Sequence, residues 1–577
     1  MYILGLNIGH NATACLLKDG KILGCVSEER FSRIKNHHGI PYASIDWLMK
    51  EFNLSLEEVE IVLDDQYQVE GNANFGKNFL QVYKNPSQAK KIKSWLGYTY
   101  PSGFKAYYDW KSRIQDKQDL HKRIKNQVAA ALDVAKEKIT VIDHHLTHAF
   151  SPLGNLDENI PWLIFTLDGE GSGLCATVNL YQDKMMKVIS QSSKTASLGY
   201  FYGIATLMLG MKPLEHEFKV MGLAPYAKKH AVEEIYLKLR ELFSIDEDLQ
   251  FHSKFSMPFA DHFFKKEMQF VRFDTLASGV QQLTEDLCCE WISKSIKKLG
   301  ISNIALSGGV FMNVKANKRI SELPEVNKMF IMPSSGDESN AIGACWYGYK
   351  KYIEKNNLPY ACTPLTHLYL GPEYTEVYIK DFINKKDIKK RYTITKPKDI
   401  NKEIAKLLAK GNIVARCSGK SEWGARALGN RSILANPAHP DTIRILNETI
   451  KDRDFWMPFT PSILDSYESK YLKNPKKISS PFMTITFDAT ELAKKKIPAA
   501  MHPYDFTVRP QIVTKDNPDY YDLLNKFAKI THTGAILNTS FNLHGEPNVL
   551  TPQDALHTLE NSSLGYLALG KYLLKKN

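Results

Sequence analysis

Two histidines four residues apart, His144 and His148, follow a short apolar run at Ile139 to Ile142. On a helix starting after Ile142 that spacing puts both imidazoles on one face, where they can share a metal ion. Two ligands do not complete a site, so carboxylates must come from elsewhere in the chain. Asp168, at the end of an apolar run and the start of a Gly-rich segment, is one candidate. Asp337, in Pro333-Ser334-Ser335-Gly336-Asp337, is another. Imidazole with carboxylate suits zinc, manganese and ferrous iron alike, whereas Ca²⁺ and Mg²⁺ favour all-oxygen ligation. The plainer alternative is a histidine pair that only packs or caps a helix.

A second kind of chemistry is phosphate binding. Gly-rich loops at Asp168 to Gly173, Ser307 to Val310 and Ser334 to Asn340 offer unhindered backbone N–H groups beside helix starts. Ser307, Gly308, Gly309 and Asn313 of one loop and Gly336 of another are candidate nucleotide contacts. The chain has no Walker A sequence and no dinucleotide fingerprint. Further along, Arg416, Arg426, Arg431, Lys451, Arg453 and Arg509 lead to Asn538-Thr539-Ser540-Phe541-Asn542. Guanidinium groups bind phosphate bidentately, so these cations with small hydroxyl and amide side chains would fit a triphosphate or an acyl phosphate. Surface ion pairing is the alternative, favoured for Arg444. Neither a Ser-His-Asp signature, a GxSxG elbow nor a catalytic-Cys motif appears, which speaks against a covalent acyl-enzyme.

These groups need strands and helices to position them. Ile3 to Ile8, Ala12 to Leu17 and Ile22 to Ser27 read as a meander whose last two strands turn at Asp19-Gly20. The layout recurs at Trp162 to Leu167, Leu174 to Tyr181 and Met185 to Ile189, which suggests internal duplication. Val128 to Val134 is expected to be helical, and Val280, Leu283, Leu287, Trp291, Ile292, Ile296 and Leu299 keep helical spacing ahead of a strand at Ile304 to Leu306. Duplicated meanders with helices and paired Gly-rich loops are how the architecture of actin, chaperone ATPases and sugar kinases looks in sequence, an α/β class. An aromatic and basic segment, Gly71 to Lys125, reads as a helical insertion or as an acceptor-recognition element. Lys350 to Lys398 shows little periodicity and reads as an inter-domain connection. The expected boundaries are residues 1–355 and 368–577.

Composition narrows the partners. The 577 residues hold 75 Lys+Arg against 63 Asp+Glu, a net charge of +12, with 43% hydrophobic residues, which excludes disordered and collagen-like classes. The positive balance leaves nucleic acid, anionic membranes and phosphorylated small molecules open. The N-terminal stretch has no basic n-region, and no apolar run is long enough to span a bilayer, so a soluble, cytoplasmic protein is expected. Eight scattered cysteines without a CxxC read as reduced thiols.

The segments GHNATACLL…EERFSRIK, DHHLTHA, LDGEGS, SLGYFYG…KVMGLAPYA, LSGGVFMN, PSSGDESNAIGA, EWGARALGNRSILA, IKDRDFWMPFTPSIL and TVRPQIV…LNTSFNLHGEPNV, in this order, resemble the NodU/CmcH/TobZ carbamoyltransferases. The resemblance implies an N-terminal actin-like domain, akin to the tRNA threonylcarbamoyladenosine transferase, and an α+β C-terminal YrdC-like domain. It implies that the second condenses carbamoyl phosphate with ATP into carbamoyl adenylate and the first passes the carbamoyl group to a small-molecule hydroxyl. Carried over, His144, His148, Asp168 and Asp337 are the metal ligands, for Fe²⁺, with Mg²⁺ able to accompany ATP. Arg426, Lys451, Arg509, Ser540, Asn538 and Asn542 form the adenylate site, with Arg416 and Arg453 as further nucleotide contacts. His10 is a candidate general base or acceptor-binding group. The expected partners are ATP, carbamoyl phosphate and a hydroxyl acceptor, with no nucleic acid and no membrane; tRNA threonylcarbamoylation is the alternative reading. Two positions depart from the family: many relatives have His-Asp where this chain has His10-Asn11, and Arg where it has Met457.

Overall fold

Short apolar runs punctuated by tight turns build the sheets that carry the site. The computed structural model describes residues 1–66, 87–113, 117–451 and 454–577. It divides into two units, Met1–Leu23 with Asn36–Pro364 and Gly24–Lys35 with Leu365–Asn577.

In the first unit, β1 (Tyr2–Asn7), β2 (Thr13–Lys18), β4 (Val59–Asp64), β5 (Ile139–Ile142) and the start of β3 (Lys21–Ser27), which passes into the second unit at Gly24, form a sheet in the order β3-β2-β1-β4-β5. Asp19 and Gly20 both have positive φ, 45° and 77°. That is the backbone a two-residue hairpin turn needs between right-twisted strands. β1 is antiparallel to β2 and parallel to β4, and β4 is parallel to β5. Its residues are buried almost without alternation, as in strands covered on both faces.

A second sheet repeats this pattern of pairings. It contains β6 (Trp162–Gly171), β7 (Leu174–Gln182), β8 (Met185–Ser193), β11 (Asn303–Ser307) and β12 (Lys328–Ile331) in the order β12-β11-β6-β7-β8. Here β6–β7–β8 is the antiparallel meander, while β11 runs parallel to both β6 and β12. Between them, β9 (Phe243–Ile245) and β10 (Phe251–Ser253) form a small ribbon. The 27-residue helix Phe273–Leu299 buries the expected stripe from Val280 to Ile296 and ends where Gly300 turns left-handed at φ 70°. β4 runs parallel to β5 and β6 to β11, so within each sheet their carboxyl ends share one edge, the side on which open α/β sheets bind ligands.

The second unit is a mixed sheet of β13 (Tyr392–Thr395), β14 (Val414–Cys417), β15 (Arg431–Ala435), β16 (Thr460–Leu464), β20 (Gln511–Val513), β21 (Ala535–Ser540), β22 (Tyr566–Leu569) and β23 (Tyr572–Lys576). The order is β13-β23-β22-β14-β15-β21-β16-β20. Strands β17 (Leu472–Lys473), β18 (Phe487–Ala489) and β19 (Thr507–Val508) make a smaller sheet. Period-two alternation divides the core: Ala415, Ile433, Leu537 and Leu567 pack on one face, and their neighbours Val414, Leu434, Ile536 and Ala568 on the other.

Two expectations change in detail. The described part of the insertion is helical, as Gln88–Thr99, Pro101–Arg113 and Lys117–Leu132, and the last of these absorbs the helix expected at Val128. Lys350 to Lys398 is not simply a connection, since Asn340–Asn356, Glu376–Ile383 and Lys386–Arg391 are helices and Tyr392–Thr395 is a strand. Apart from Asn340–Asn356, which begins ahead of this segment, these elements have only four to eight residues, too few repeats for periodicity to register. No disulfide joins the eight cysteines. No helix among the described residues is long and apolar enough to cross a membrane.

Candidate active site

β5 runs into Asp143 and then into the helix His144–Phe150, so both histidines face one way as their spacing predicts. His144 and His148 are fully buried, with their Nε2 atoms 3.1 Å apart. Asp168 Oδ2 lies 3.2 Å from His144 Nε2 and 3.5 Å from His148 Nε2, and Asp337 Oδ1 lies 3.6 Å from each. Metal–nitrogen and metal–oxygen bonds of about 2.0–2.2 Å imply ligand–ligand edges of roughly 2.8–3.6 Å for tetrahedral or octahedral coordination. The two nitrogens and two carboxylate oxygens therefore fit one divalent cation.

The surrounding groups fix these donors. His144 Nδ1 faces Asp64 Oδ2 at 2.9 Å, the carboxylate–imidazole pairing that sets the tautomer of a metal-binding histidine. Asn340 Nδ2 lies 3.3 Å from the same carboxylate. His148 Nδ1 lies 3.4 Å from the hydroxyls of Ser307 and Ser339. Asp168 Oδ1 accepts the Gly309 N–H at 3.3 Å. Asp65 accepts the backbone N–H of His144 at 3.1 Å and the Ser172 hydroxyl at 2.6 Å, which caps the histidine helix from another strand.

Charge in the cluster is tightly coupled. Burial disfavours the imidazolium of His144, but the Asp168 and Asp64 carboxylates outweigh it and hold its pKa well above the histidine range. His148 is raised in the same way by Asp168 and Asp337. Burial works upward on Asp168, and the two imidazoles overcome it and pull its pKa well below the carboxylate range. His145 is different: it points Nδ1 at Thr166 Oγ1 at 2.7 Å, and burial pushes it down to about 3. A field that favours protons on two imidazoles also favours a divalent cation between them.

Of the remaining first-unit candidates, Ser307 and Gly309 touch the cluster and Gly336 directly precedes Asp337. Ser307 and Gly309 support the metal donors. Gly308 donates its N–H to the Ser335 carbonyl at 2.9 Å. Asn313 caps the helix Val314–Glu322 through Ala316 and exchanges hydrogen bonds with Gln281 at 2.9 and 3.0 Å. Gly336 opens the turn Asp337–Ser339. His10 is half-buried, and its carbonyl accepts from Asn7 at 2.6 Å. Next to it Asn11 adopts φ 59° and donates to Glu338 Oε2 at 3.2 Å.

In the second unit a π-helical turn, Asn447–Lys451, delivers Lys451 to the end of β21. The side chain is 1% exposed, and its ammonium donates to the Ser540 carbonyl, to Ser540 Oγ at 3.3 Å, and to the carbonyl and Oδ1 of Asn542 at 3.1 and 2.9 Å. Asn538 is buried and donates to the Ala427 carbonyl at 3.1 Å and to Ser462 Oγ at 3.0 Å. Arg426 and Arg509 are half-buried in loops. Arg416 is buried, and its guanidinium engages the Gly429 carbonyl, Asn430 Oδ1 and the Asp519 carboxylate. Met457 is a core side chain at 6% exposure. Arg453 lies outside the described residues. Sequence reasoning missed Asp64 and Asp65; a strand running straight into Asp-Asp, like the one running into Asp143-His144, was the available signal.

Fold and site define a mixed α/β enzyme with a histidine–carboxylate centre suited to a divalent metal. Residues 2–346 match the carbamoyltransferase N-terminus family and residues 405–576 the carbamoyltransferase C-terminus family. The chain belongs to the carbamoyltransferases. An uncharacterised protein of Methanocaldococcus jannaschii is 30% identical, covering 100% of this chain and 99% of its own length. Nodulation protein NolNO of Sinorhizobium fredii is 26% identical over 98% of this chain and 79% of its own length. The structure of full-length HypF in phosphate- and nucleotide-bound form aligns with 62% of this chain and 47% of its own at 15% identity and a TM-score of 0.34.

Proposed function

We propose that the chain is an ATP-dependent O-carbamoyltransferase that works in two steps. In the first, carbamoyl phosphate, ATP and water give carbamoyl adenylate, phosphate and pyrophosphate in the second unit, read as YrdC-like. In the second, the hydroxyl oxygen of a small-molecule acceptor attacks the carbamoyl carbon, the bond to AMP breaks, and the acceptor proton passes to a base. The first unit, whose two sheets share one pairing pattern, is read as a duplicated actin-like domain and hosts this transfer.

The observation that carries the reading is the Lys451 cradle. Its buried ammonium donates to oxygens of Ser540 and Asn542, which hold it at the end of β21 as a cation for a polyanionic substrate. Arg426 and Arg509 add guanidinium groups for the phosphates of ATP and carbamoyl phosphate. His10, in the loop after β1, is the proposed base or acceptor-binding group. His144, His148, Asp168 and Asp337 would hold the divalent cation, with Fe²⁺ the proposed ion. Such a cation supplies a Lewis acid for the adenylate phosphate.

The test is direct. Purified protein with ATP, carbamoyl phosphate and Fe²⁺ should release pyrophosphate only when carbamoyl phosphate is present, and Lys451→Ala should abolish the release. Release that does not need carbamoyl phosphate, or that survives Lys451→Ala, overturns the proposal.

A further inference from the structure

We infer that Glu422 is a positioning residue for adenylate formation, acting through the loop that presents Arg426. The inference rests on the proposed role of Arg426 in binding the anionic substrates.

One oxygen of this carboxylate, Oε1, accepts three backbone N–H groups from the far end of its own loop: Leu428 at 2.9 Å, Asn430 at 2.7 Å and Arg431 at 3.1 Å. Hydrogen bonds from backbone N–H to a charged oxygen are about twice as strong as neutral ones. Glu422 is 3% exposed, so little water competes for them. The loop thus closes around the Glu422 carboxylate, and its outward carbonyls are pinned from four other segments. Asn538 donates to the Ala427 carbonyl at 3.1 Å, Tyr369 and Gln511 donate to the Leu428 carbonyl at 2.8 and 2.9 Å, and Arg30 donates to the Gly424 carbonyl at 2.8 Å.

The result is selective. Between Glu422 and Arg431 every residue is buried except Ala425 and Arg426. A rigid ring of backbone therefore leaves two residues at its open side, and one of them is the arginine. The pinning residues also tie Arg426 to its proposed partners. Asn538 lies two residues before Ser540 on β21, and Gln511 lies two residues after Arg509. Asn538 therefore acts from beneath the site, by holding backbone, and Glu422 acts from inside the loop. A misplacement of about 1 Å in such a group can cost about 100-fold in rate.

The experiment is a double-mutant cycle on carbamoyl-phosphate-dependent pyrophosphate release, with Tm measured for every variant. Glu422→Ala should reduce kcat/KM by about 100-fold. Glu422→Gln, whose amide oxygen can still accept the three N–H groups, should recover most of that loss. In the Arg426→Ala background, adding Glu422→Ala should cost little further activity, while its effect on Tm stays the same as in wild type. Additive losses of activity, or a folded Glu422→Gln protein as impaired as Glu422→Ala, overturn the inference. Absence of pyrophosphate release by the wild-type protein instead overturns the proposed function, so the two failures are distinguishable.

Discussion

Asp64 Oδ2 lies 2.9 Å from Nδ1 of His144, across the imidazole from the Nε2 that meets His148 and Asp168. The carboxylate is fully buried, and burial raises its pKa even though His144 opposes that shift. A buried acid kept beside an imidazole holds the ring with Nε2 directed at the other donors. Asp64→Asn should therefore weaken metal binding by about 10- to 100-fold, measured by Fe²⁺ or Zn²⁺ titration with a competing chelator. An unchanged affinity would show that the ring is oriented by packing alone.

The carboxyl end of β6 offers a sharper contrast between two glycines. A Cβ on Gly171 would lie 2.0 Å from the His144 ring, whereas a Cβ on Gly169 would meet nothing within 4 Å. Gly171→Ala must move the imidazole or the strand end, and should lose bound metal along with stability. Gly169→Ala should keep its metal content. Elemental analysis of the two purified variants checks this, and equal metal content in both would contradict the close approach.

The clustering of His144, His148, Asp168 and Asp337 was legible because its parts carry local signals: an i, i+4 histidine pair after a strand, and aspartates opening Gly-rich turns. The strand meanders were legible for the same reason, down to the turn at Asp19-Gly20. The apolar run into Asp64-Asp65 marks a candidate carboxylate, but the imidazole it holds is 80 residues away, and the Glu422 contacts, six to nine residues along its own loop, follow no periodicity. Arg416 shows what only the tertiary fold adds. Among clustered arginines in a sequence it looks like an anion ligand, but it is buried against Asp519 and the Gly429 carbonyl, and only the tertiary fold shows that engagement. The grouping of Gly24–Lys35 with the second unit was equally invisible, since nothing in that segment's composition distinguishes it from the flanking meander.

Lys451 and Asn542 separate charge from architecture. Asn542 Oδ1 sits 2.9 Å from the ammonium, so Asn542→Asp would place a carboxylate where a neutral amide now accepts. A new ion pair in a buried setting should leave Tm unchanged or higher, because a hydrogen bond is kept and strengthened. The same pair would cancel the charge that the proposed function directs at ATP and carbamoyl phosphate. KM for both should rise by about tenfold or more, a loss of about 1.4 kcal/mol. A variant that is both stable and unimpaired would assign Lys451 a purely structural role.

Glu217, at the start of the helix Glu217–Leu223, should give the protein a measurable pH dependence of stability. Burial pushes its carboxyl up to about 7 from an ordinary 4.5, and the neighbouring Glu215 adds to the rise. The Leu214 N–H, donating at 2.7 Å, works the other way but does not overcome burial. Between pH 4.5 and 7 the folded chain therefore keeps a proton on Glu217 that the unfolded chain has released. Where the unfolded state binds fewer protons, stability falls as pH rises. The contribution of this group is thus fully present below about pH 4.5 and lost as pH climbs through about 7. Glu217→Gln cannot titrate, so its Tm should decline less than that of wild type from pH 5 to pH 7.5. Parallel Tm profiles for the two proteins across that range would show that Glu217 is already ionised in the folded state.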